Sequence, residues 1–295
     1  MKRSQLGEKL TPYMLIAPAM IGILLFVVYP TFRLVYMSFF KINQLNPSKN
    51  RFVGLDNFTK MFKTAEFQKA VVNTGYYSLY MIIIVLGFSL LFAVWLGSKS
   101  SKMNSFTQAT AFMPHIISMV SVGMIFTQMM SPSFGIFNAA LQAMHMQPLQ
   151  WLQSSDTALA SVIFTSSWKS IGYYTLILIA ALQSIPSSIY EAADLDNAGK
   201  VRTFCKITLP MISPQIFFVL IVLTIGSFKV FETIRVMTAG GPNNATTSLV
   251  YYIYRKVFLD FDVGRAAAGG VVLLAMVGVM TVLYFVGLSK KVHYQ

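Results

Sequence analysis

Charged residues are scarce in this chain, and acidic residues are the scarcest of them. Only 11% of the 295 residues are Asp, Glu, Lys or Arg, whereas 55% are hydrophobic and the mean hydropathy is +0.61. A soluble globular domain has about 25% charged residues. This shortage excludes a soluble domain as the main body of the protein, and it leaves no room for a separate soluble catalytic domain.

Cysteine is almost absent, and so are the motifs of ATP and metal chemistry. Cys205 is the single cysteine, which excludes an intrachain disulfide, and we interpret it as a small packing residue. No Gly-x-x-x-x-Gly-Lys-Ser/Thr phosphate loop occurs, so this chain is not expected to bind ATP. His115, His145 and His293 are scattered, and no group of His, Cys and carboxylates has metal-ligand spacing. The sequence predicts no enzyme activity, no bound cofactor and no metal.

Long apolar runs make up most of the chain instead. A helix needs about 20 residues to cross a hydrocarbon core of about 30 Å, and helices satisfy their own backbone groups in lipid. Six runs are long enough, at approximately 13–40, 72–96, 107–130, 158–182, 211–235 and 266–289. The first is too long for the core of a secretory signal, so we expect it to be retained. The sequence predicts an all-α, polytopic membrane protein with six transmembrane helices in a single domain over residues 1–295.

The net charge of +13 does not indicate a nucleic-acid partner. The 23 Lys and Arg residues are spread over termini and loops and form no basic stripe. If the N-terminus is cytoplasmic, equal numbers of them fall on the two sides, and only the shorter length of the cytoplasmic segments favours that orientation. The orientation therefore rests on the loop between the fourth and fifth runs.

Residues 131–157 contain no Lys or Arg and carry a helical pattern. Apolar residues recur on one face at Ile136, Phe137, Ala140, Leu141 and Met144. This spacing predicts a short helix that either lies on the outer membrane interface or packs on the helix bundle.

The polar segment 186–210 lies between the fourth and fifth runs, and a membrane does not require the pattern it carries. Glu191-Ala192-Ala193 is followed 14 positions on by Ile207-x-Leu209-Pro210. The alanines are small enough to let a partner's backbone approach closely, and Glu191 offers that partner a fixed charge. The pattern resembles the EAA loop of permease subunits in binding-protein-dependent ABC importers, the cytoplasmic segment that docks on the ATPase.

We expect this loop to form two short helices joined by a turn. Pro186 suits the first turn of a helix, where its missing N–H costs nothing, and Lys200, Arg202 and Lys206 follow on the second helix. The family pattern has glycine where this chain has Asn197. Asn is the next best residue for a left-handed turn, although Gly199 nearby could shift it. The resemblance implies eight ATPase-coupling residues: Glu191, Ala192, Ala193, Asn197, Gly199, Ile207, Leu209 and Pro210.

Other segments resemble the carbohydrate-uptake branch of the same family, over nearly the whole chain. They are Phe52–Phe58, Trp168-Lys169, Gly172-Tyr173, Ala181–Pro186, Gly240-Gly241-Pro242 and Tyr251-x-x-Tyr254-Arg255. The chain is most similar to the first permease subunit of transporters for maltose-type oligosaccharides, multiple sugars and glycerol 3-phosphate. Residues 41–71 are too few to hold the large external insertion of the maltose example.

The resemblance implies a permease of type I ABC importer architecture in the bacterial cell membrane, with both termini cytoplasmic. Such a subunit forms half of the translocation pathway for a sugar or oligosaccharide. Its expected partners are a second, homologous permease, an ATP-binding subunit dimer that holds ATP and Mg, and an extracellular solute-binding protein. Two alternatives stay open: a permease of the same family for glycerol 3-phosphate or another small polar solute, and a non-transporting scaffold or sensor.

Charged residues inside the apolar runs are candidates for the solute pathway, because each costs about 2.5–3.5 kcal/mol at a helix centre. Lys229, Glu232 and Arg235 step by three along the fifth run, so they are expected to share a face. They either line the pathway near its outer end or form a structural ion-pair cluster. Lys169 lies closer to mid-span and either snorkels, hydrogen-bonds within the bundle or contacts the solute. The aromatic candidates for contact with sugar rings, with plain packing as the alternative, are Trp168, Tyr173, Phe228 and Phe231.

Overall fold

The computed structural model describes the backbone of residues 2–44, 46–97 and 102–288. The predicted end of the sixth apolar run, residue 289, lies outside the described residues. Within them the chain is mainly helical, with one two-stranded sheet, and the predicted all-α membrane fold is confirmed. The chain divides into two compact units, one drawn from Met1–Thr64 and Ile253–Val272 and the other from Ala65–Tyr252 and Leu273–Gln295. The single permease domain stays a prediction.

The first unit contains the N-terminal helices and a small hairpin. Its elements before residue 65 are α1 (Lys2–Ile23), a π-helical turn (Leu24–Val28), α2 (Tyr29–Ser38), β1 (Phe40–Lys41), a 3-10 turn (Pro47–Lys49), β2 (Arg51–Phe52) and α3 (Asp56–Phe62). The strands pair antiparallel, with Phe40 opposite Phe52. The buried Asn57 closes the hairpin against α2, because its Nδ2 donates to the carbonyl oxygens of Ser38 at 2.7 Å and Phe40 at 3.0 Å.

The second unit contains the longest helices. Its elements are α4 (Ala65–Gly97), α5 (Lys102–Ile116), α6 (Met119–Met129), α7 (Ile136–Ala143), α8 (Ala158–Gln183), α9 (Ser187–Leu195), α10 (Lys200–Thr203), a π-helical turn (Phe204–Thr208), α11 (Leu209–Met211), α12 (Ser213–Phe228) and α13 (Glu232–Met237). The two last helices, α14 (Leu249–Phe258) and α15 (Val263–Leu288), include residues of both units.

In the part of the chain that the structure describes, four helical segments are long and apolar enough to cross a membrane: Thr11–Ser38, Ala65–Gly97, Ser213–Met237 and Val263–Gly287. The number rises to six if each of two bent helix pairs counts as one span. One pair is Phe106–Ile116 with Met119–Met129, bent by 96°, and the other is Ala158–Gln183 with Ser187–Leu195, bent by 68°. The six predicted runs correspond to these six segments. No residue in the most apolar part of Thr11–Ser38 is buried, so its side chains are available to lipid or to another subunit.

Prolines explain where several helices depart from regular α geometry. A proline inside a helix removes one backbone donor and its ring clashes with the carbonyl four residues earlier. Both π-helical turns come just before such a residue, Pro30 in α2 and Pro210 in α11. Pro114 lies inside α5, two residues before that helix ends. The predicted span over 107–130 is therefore not one straight helix, because the chain bends sharply between Ile116 and Met119.

Small side chains let α4, α5 and α8 pack closely in the second unit. The buried Ser89 of α4 donates its hydroxyl to the carbonyl oxygen of Ile171 in α8 at 3.0 Å. Gly172 of α8 touches the backbone of α5, since a Cβ built there would overlap with the carbonyl group of Ala111. Membrane helices associate through such small residues and interhelical hydrogen bonds, because lipid gives apolar side chains no reason to leave it.

Helix α7 packs on the bundle, which decides between the two predicted placements. The Phe137 ring lies against Phe126, Trp151 and Phe164 at centroid distances of 5.8–6.1 Å. The buried Asn138 holds the following loop, because its Oδ1 accepts from the Leu149 amide at 3.0 Å and its Nδ2 donates to the Leu149 carbonyl at 3.0 Å. Only part of the predicted apolar face therefore packs on the bundle, because Ile136 and Met144 remain exposed at 58% and 69%.

Candidate coupling hairpin and solute cavity

The segment 186–210 forms a helical hairpin whose turn is centred on Asn197. Helix α9 ends with the paired hydrogen bonds of a Schellman motif, from the Ala198 amide to the Ala193 carbonyl at 2.9 Å and from the Asn197 amide to the Asp194 carbonyl at 3.0 Å. Asn197 has a φ of 53°, the left-handed conformation predicted from its place in the pattern. Gly199 does not shift the turn, because it has a φ of −61° and begins α10.

The root of the hairpin is fixed to the bundle. Ala181, Ile185 and Ile212 form a buried cluster, against which Ile189 and Tyr190 of α9 pack. The hydroxyl groups of Tyr190 and Thr208 lie 3.3 Å apart and join the two arms of the hairpin. Both arms are therefore tied to each other and to the adjoining ends of α8 and α12. Pro186 lies just before α9 as its N-cap, one residue earlier than predicted.

The two alanines of the Glu191-Ala192-Ala193 motif differ in burial. Ala193 is buried within the chain at 5% exposure, so the expected approach of a partner to its side chain has no counterpart in the surface of this chain, and its coupling role stays a prediction. Glu191 and Ala192 are exposed. The other predicted coupling residues of the second arm, Ile207, Leu209 and Pro210, are half-buried.

Two exposed apolar side chains at the tip of the hairpin were missed by the sequence analysis. Leu195 is 86% exposed and Val201 is 78% exposed, on either side of the Asn197 turn. Their importance could have been predicted from the sequence, because both are large apolar residues within a polar segment between two apolar runs. We call the four exposed residues Glu191, Ala192, Leu195 and Val201 the docking face.

A cavity of about 340 Å³ lies among the spanning helices of the second unit. Its wall includes ionisable residues and aromatic rings from four elements: Tyr77, His115, Lys169, Lys229, Phe231 and Glu232. The serines Ser166, Ser170 and Ser227 add small polar groups to the same wall. We call this space the charged cavity.

Lys169 reaches the cavity while tied to the bundle. Its ammonium group donates to the carbonyl oxygen of His115 at 2.9 Å, the second of the three outcomes considered for this residue. The His115 ring stacks on Tyr173, with centroids 4.3 Å apart and an interplanar angle of 10°. This arrangement holds the Lys169 ammonium group at the wall and prevents it from snorkelling to the membrane surface.

The fifth span is interrupted where the charged residues occur. Helix α12 ends at Phe228 and α13 begins at Glu232, so the prediction that Lys229, Glu232 and Arg235 share one helix face is wrong. The Ser248 hydroxyl donates to the Val230 carbonyl at 2.8 Å and satisfies one backbone group that the break releases. The break turns Lys229, Phe231 and Glu232 towards the charged cavity, while Arg235 is exposed and is not among the cavity residues.

Four of the eight predicted pathway residues line the charged cavity, and the other four lie elsewhere. The four that line it are Lys169, Lys229, Phe231 and Glu232. Phe228 is buried, and Tyr173 stacks on His115 behind the wall. Trp168 packs 5.2 Å from Phe126 and lines a different, apolar groove of about 830 Å³. A role in solute passage stays a prediction for all eight.

The neutral polar part of the wall was not predicted from the sequence. Ser166, Lys169, Ser170 and Tyr174 are spaced three and four residues apart, so they share one face of α8. That periodicity was a usable signal. The contributions of Tyr77 and His115 had no local signal, because they come from α4 and α5, far away in the chain. Among the described residues, no group of three or more His, Cys, Asp or Glu side chains could hold a metal ion.

Comparison with known proteins gives a family, curated relatives and solved structures. The family described as binding-protein-dependent transport system inner membrane component matches residues 90–289. The probable ABC transporter permease protein YurN of Bacillus subtilis is 36% identical over 271 residues, which cover 90% of this chain and 92% of that protein. The sulfoquinovosyl glycerol transport system permease protein SmoG of Agrobacterium fabrum is 34% identical, covering 95% of this chain and 90% of that protein.

A third relative and a solved structure extend the likeness over the whole chain. The sn-glycerol-3-phosphate transport system permease protein UgpA of Escherichia coli O157:H7 is 36% identical over 287 residues, covering 96% of both chains. A crystal structure of a bacterial alginate ABC transporter, in complex with a periplasmic protein bound to an alginate pentasaccharide, contains a chain similar in fold. It matches with a TM-score of 0.82 and 25% identity, covering 95% of this chain and 94% of that one.

Proposed function

Because this chain belongs to the family of binding-protein-dependent transport system inner membrane components, we propose that it forms one half of the transmembrane pathway of an ATP-driven importer. The solute is a sugar or oligosaccharide delivered by an extracellular binding protein. The names of two relatives support this class of solute, because one is a permease for sulfoquinovosyl glycerol and the other a permease for arabinooligosaccharides. The similar fold of a chain in the alginate transporter, solved with its periplasmic protein, supports a binding protein as partner.

The observation that carries the mechanism is the hairpin at 186–210, which is rigidly rooted and presents the docking face. A separate ATP-binding dimer, which holds the ATP and Mg, docks on that face. When the dimer closes, the hairpin moves as a rigid body and shifts α8 and α12, to which it is tied through the Ala181, Ile185 and Ile212 cluster. Those two helices also line the charged cavity, so the movement changes access to it.

A second, homologous permease completes the pathway, since one such chain encloses only part of it. The hairpin is cytoplasmic in this arrangement because the ATPase is. With six spans, the N-terminus and the C-terminus then lie on the same, cytoplasmic side of the cell membrane. A glycerol 3-phosphate permease is the second candidate function, favoured by 36% identity to UgpA over 96% of both chains.

Reconstitution tests the proposed function. We expect this chain, co-expressed with its partner permease and ATP-binding subunit, to co-purify with them in mild detergent. In liposomes, ATP hydrolysis should rise severalfold when the loaded binding protein is added. A chain that inserts normally but retains no ATP-binding subunit would instead be a scaffold or sensor.

Replacing Asn197 with glycine is expected to leave uptake and its coupling to ATP hydrolysis unchanged. Glycine adopts the left-handed conformation at no steric cost, whereas Asn197→Val is expected to weaken coupling, because a β-branched residue is strained at a φ of 53°. The number of solute molecules taken up per ATP hydrolysed measures the effect. Loss of coupling in Asn197→Gly would show that the Asn side chain itself makes a required contact.

A further inference from the structure

The charged cavity has an excess of positive charge. Lys169 and Lys229 face one acidic residue, Glu232, which leaves a formal net charge of +1 with His115 neutral. One proton of the Lys169 ammonium group is used by the His115 carbonyl at 2.9 Å, and two remain. Among the described residues, no side-chain hydrogen bond or ion pair holds Lys229 or Glu232.

Three serine hydroxyls of the wall already donate their protons inside the protein. Ser166 donates to the Thr233 hydroxyl at 3.2 Å, Ser170 to the Ser166 carbonyl at 2.8 Å, and Ser227 to the Thr224 carbonyl at 2.9 Å. These three hydroxyls can still accept hydrogen bonds from a solute, but their protons are not available to it. The charged donors at this wall are therefore the ammonium groups of the two lysines, beside the neutral groups of Tyr77, His115 and Tyr174.

Ammonium donors bind an anionic oxygen more strongly than a neutral hydroxyl, and more so where water is partly excluded. An uncompensated cation among spanning helices is also unfavourable, so a bound anion relieves that cost. A single negative charge would bring the formal charge of this wall to zero. The volume of about 340 Å³ lies at the lower end of the range of about 300–1,000 Å³ for small-molecule sites.

We propose that the charged cavity selects a sugar-sized solute that carries one acidic group, either a phosphate ester, a carboxylate or a sulfonate. Lys229 and Lys169 contact the acidic group, and Glu232 accepts hydrogen bonds from hydroxyl groups and opposes binding of more highly charged anions. The proposal rests on the proposed function, and it adds the charge of the solute and the residues that recognise it.

Thiol labelling inside the cavity tests its preference for charge without knowledge of the natural solute. Gly226 lines the cavity, and a Cβ added there meets no atom within 4 Å, so Gly226→Cys fits without strain. Cys205 is the single cysteine of the chain, and Cys205→Ser removes the competing thiol. In the assembled transporter, Cys at 226 is treated with a sulfonate-bearing and with a trimethylammonium-bearing methanethiosulfonate reagent, and labelling of this chain is followed by mass spectrometry.

The readout is the labelling rate with the anionic reagent divided by the labelling rate with the cationic reagent. This ratio is normalised by the same ratio for a small thiol in solution. We expect a value of about ten or more, because a unit charge within several ångströms at an effective dielectric constant of about 20 changes the local energy of an anion by more than thermal energy. Adding Lys229→Gln should lower the ratio severalfold. The matched Lys63→Gln, an exposed lysine at the end of α3, should leave it unchanged.

A ratio of one or less, or a ratio that Lys229→Gln does not change, would overturn the proposal. So would a failure of both reagents to react, because the cavity would then not admit solutes at all. Protection by millimolar glycerol 3-phosphate, glucuronate or glucose distinguishes the acidic groups, and glucose protecting as well as both anions would also contradict the proposal. The reconstitution described above is independent of this result, so a transporter that couples to ATP hydrolysis but prefers the cationic reagent would refute the charge assignment alone.

Discussion

Replacing Glu191 with lysine is expected to abolish solute uptake while the chain still inserts in the membrane at its normal level. The Glu191 carboxylate is exposed on the docking face and, among the described residues, makes no side-chain hydrogen bond or ion pair, so the fold does not need it. Losing one partner of a charge pair that is buried in an interface costs about 2–5 kcal/mol, which is about thirtyfold to several thousandfold in affinity for the ATP-binding subunit. Reversing the sign of the charge adds repulsion. Uptake and the amount of ATP-binding subunit retained in mild detergent measure the effect.

Asp156→Lys is the matched control for Glu191→Lys. It reverses a carboxylate that is also exposed, but next to the opposite end of α8, whose 26 residues span about 39 Å. The ATP-binding subunit should co-purify with Asp156→Lys as it does with the wild type. Glu191→Gln should retain part of the activity, since it keeps the shape and loses only the charge. Normal uptake by Glu191→Lys would mean that the docking face does not bind the ATPase through this residue.

Replacing Gly172 with alanine is expected to destabilise the bundle by about 3 kcal/mol or more, at the upper end for overpacking. The added methyl group would overlap with the carbonyl group of Ala111 and lie 3.1 Å from the Cα of Phe112, and backbone atoms cannot move aside as a flexible side chain can. Helix α5 would be pushed away from α8, and the hydrogen bond from Lys169 to His115, one turn away, would lengthen. Thermal unfolding in detergent and expression level measure the loss.

Gly87→Ala in α4 tests whether the Gly172 effect comes from the close approach or from the loss of any glycine. A Cβ at Gly87 meets no atom within 4 Å, so the substitution should be neutral or should stabilise the helix by up to about 1 kcal/mol. If both variants unfold at the same temperature as the wild type, the contact between α5 and α8 is not as tight as the structure indicates.

Much of the fold could be predicted because its cause is local. Apolar runs of spanning length indicated six spans, and the turn at Asn197 followed from the conformations that Asn and Gly adopt. The breaks after Ile116 and Phe228 could not be predicted in the same way. Pro114 precedes the first break, and Lys229 and Glu232 lie at the second, but neither signal by itself fixes where a helix ends. The backbone groups released at the second break are partly satisfied by a residue from another segment, Ser248.

The sequence predicted almost all of the candidate hairpin, whereas only four of the eight predicted pathway residues line the charged cavity. The hairpin is one continuous segment, so its pattern of Glu191, the alanines and Leu209-Pro210 can be recognised in the sequence. Ala193 shows the limit of that recognition, because the pattern does not say which alanine faces a partner and which is buried.

By itself, the sequence determined that this protein is a polytopic membrane permease and predicted a coupling segment at 186–210, because hydropathy and motif spacing are properties of consecutive residues. Only the tertiary structure decided which charged and polar side chains meet. Lys169, His115 and Lys229 are brought together by the packing of α5, α8 and α12, and the distance between them along the chain carries no information about that packing.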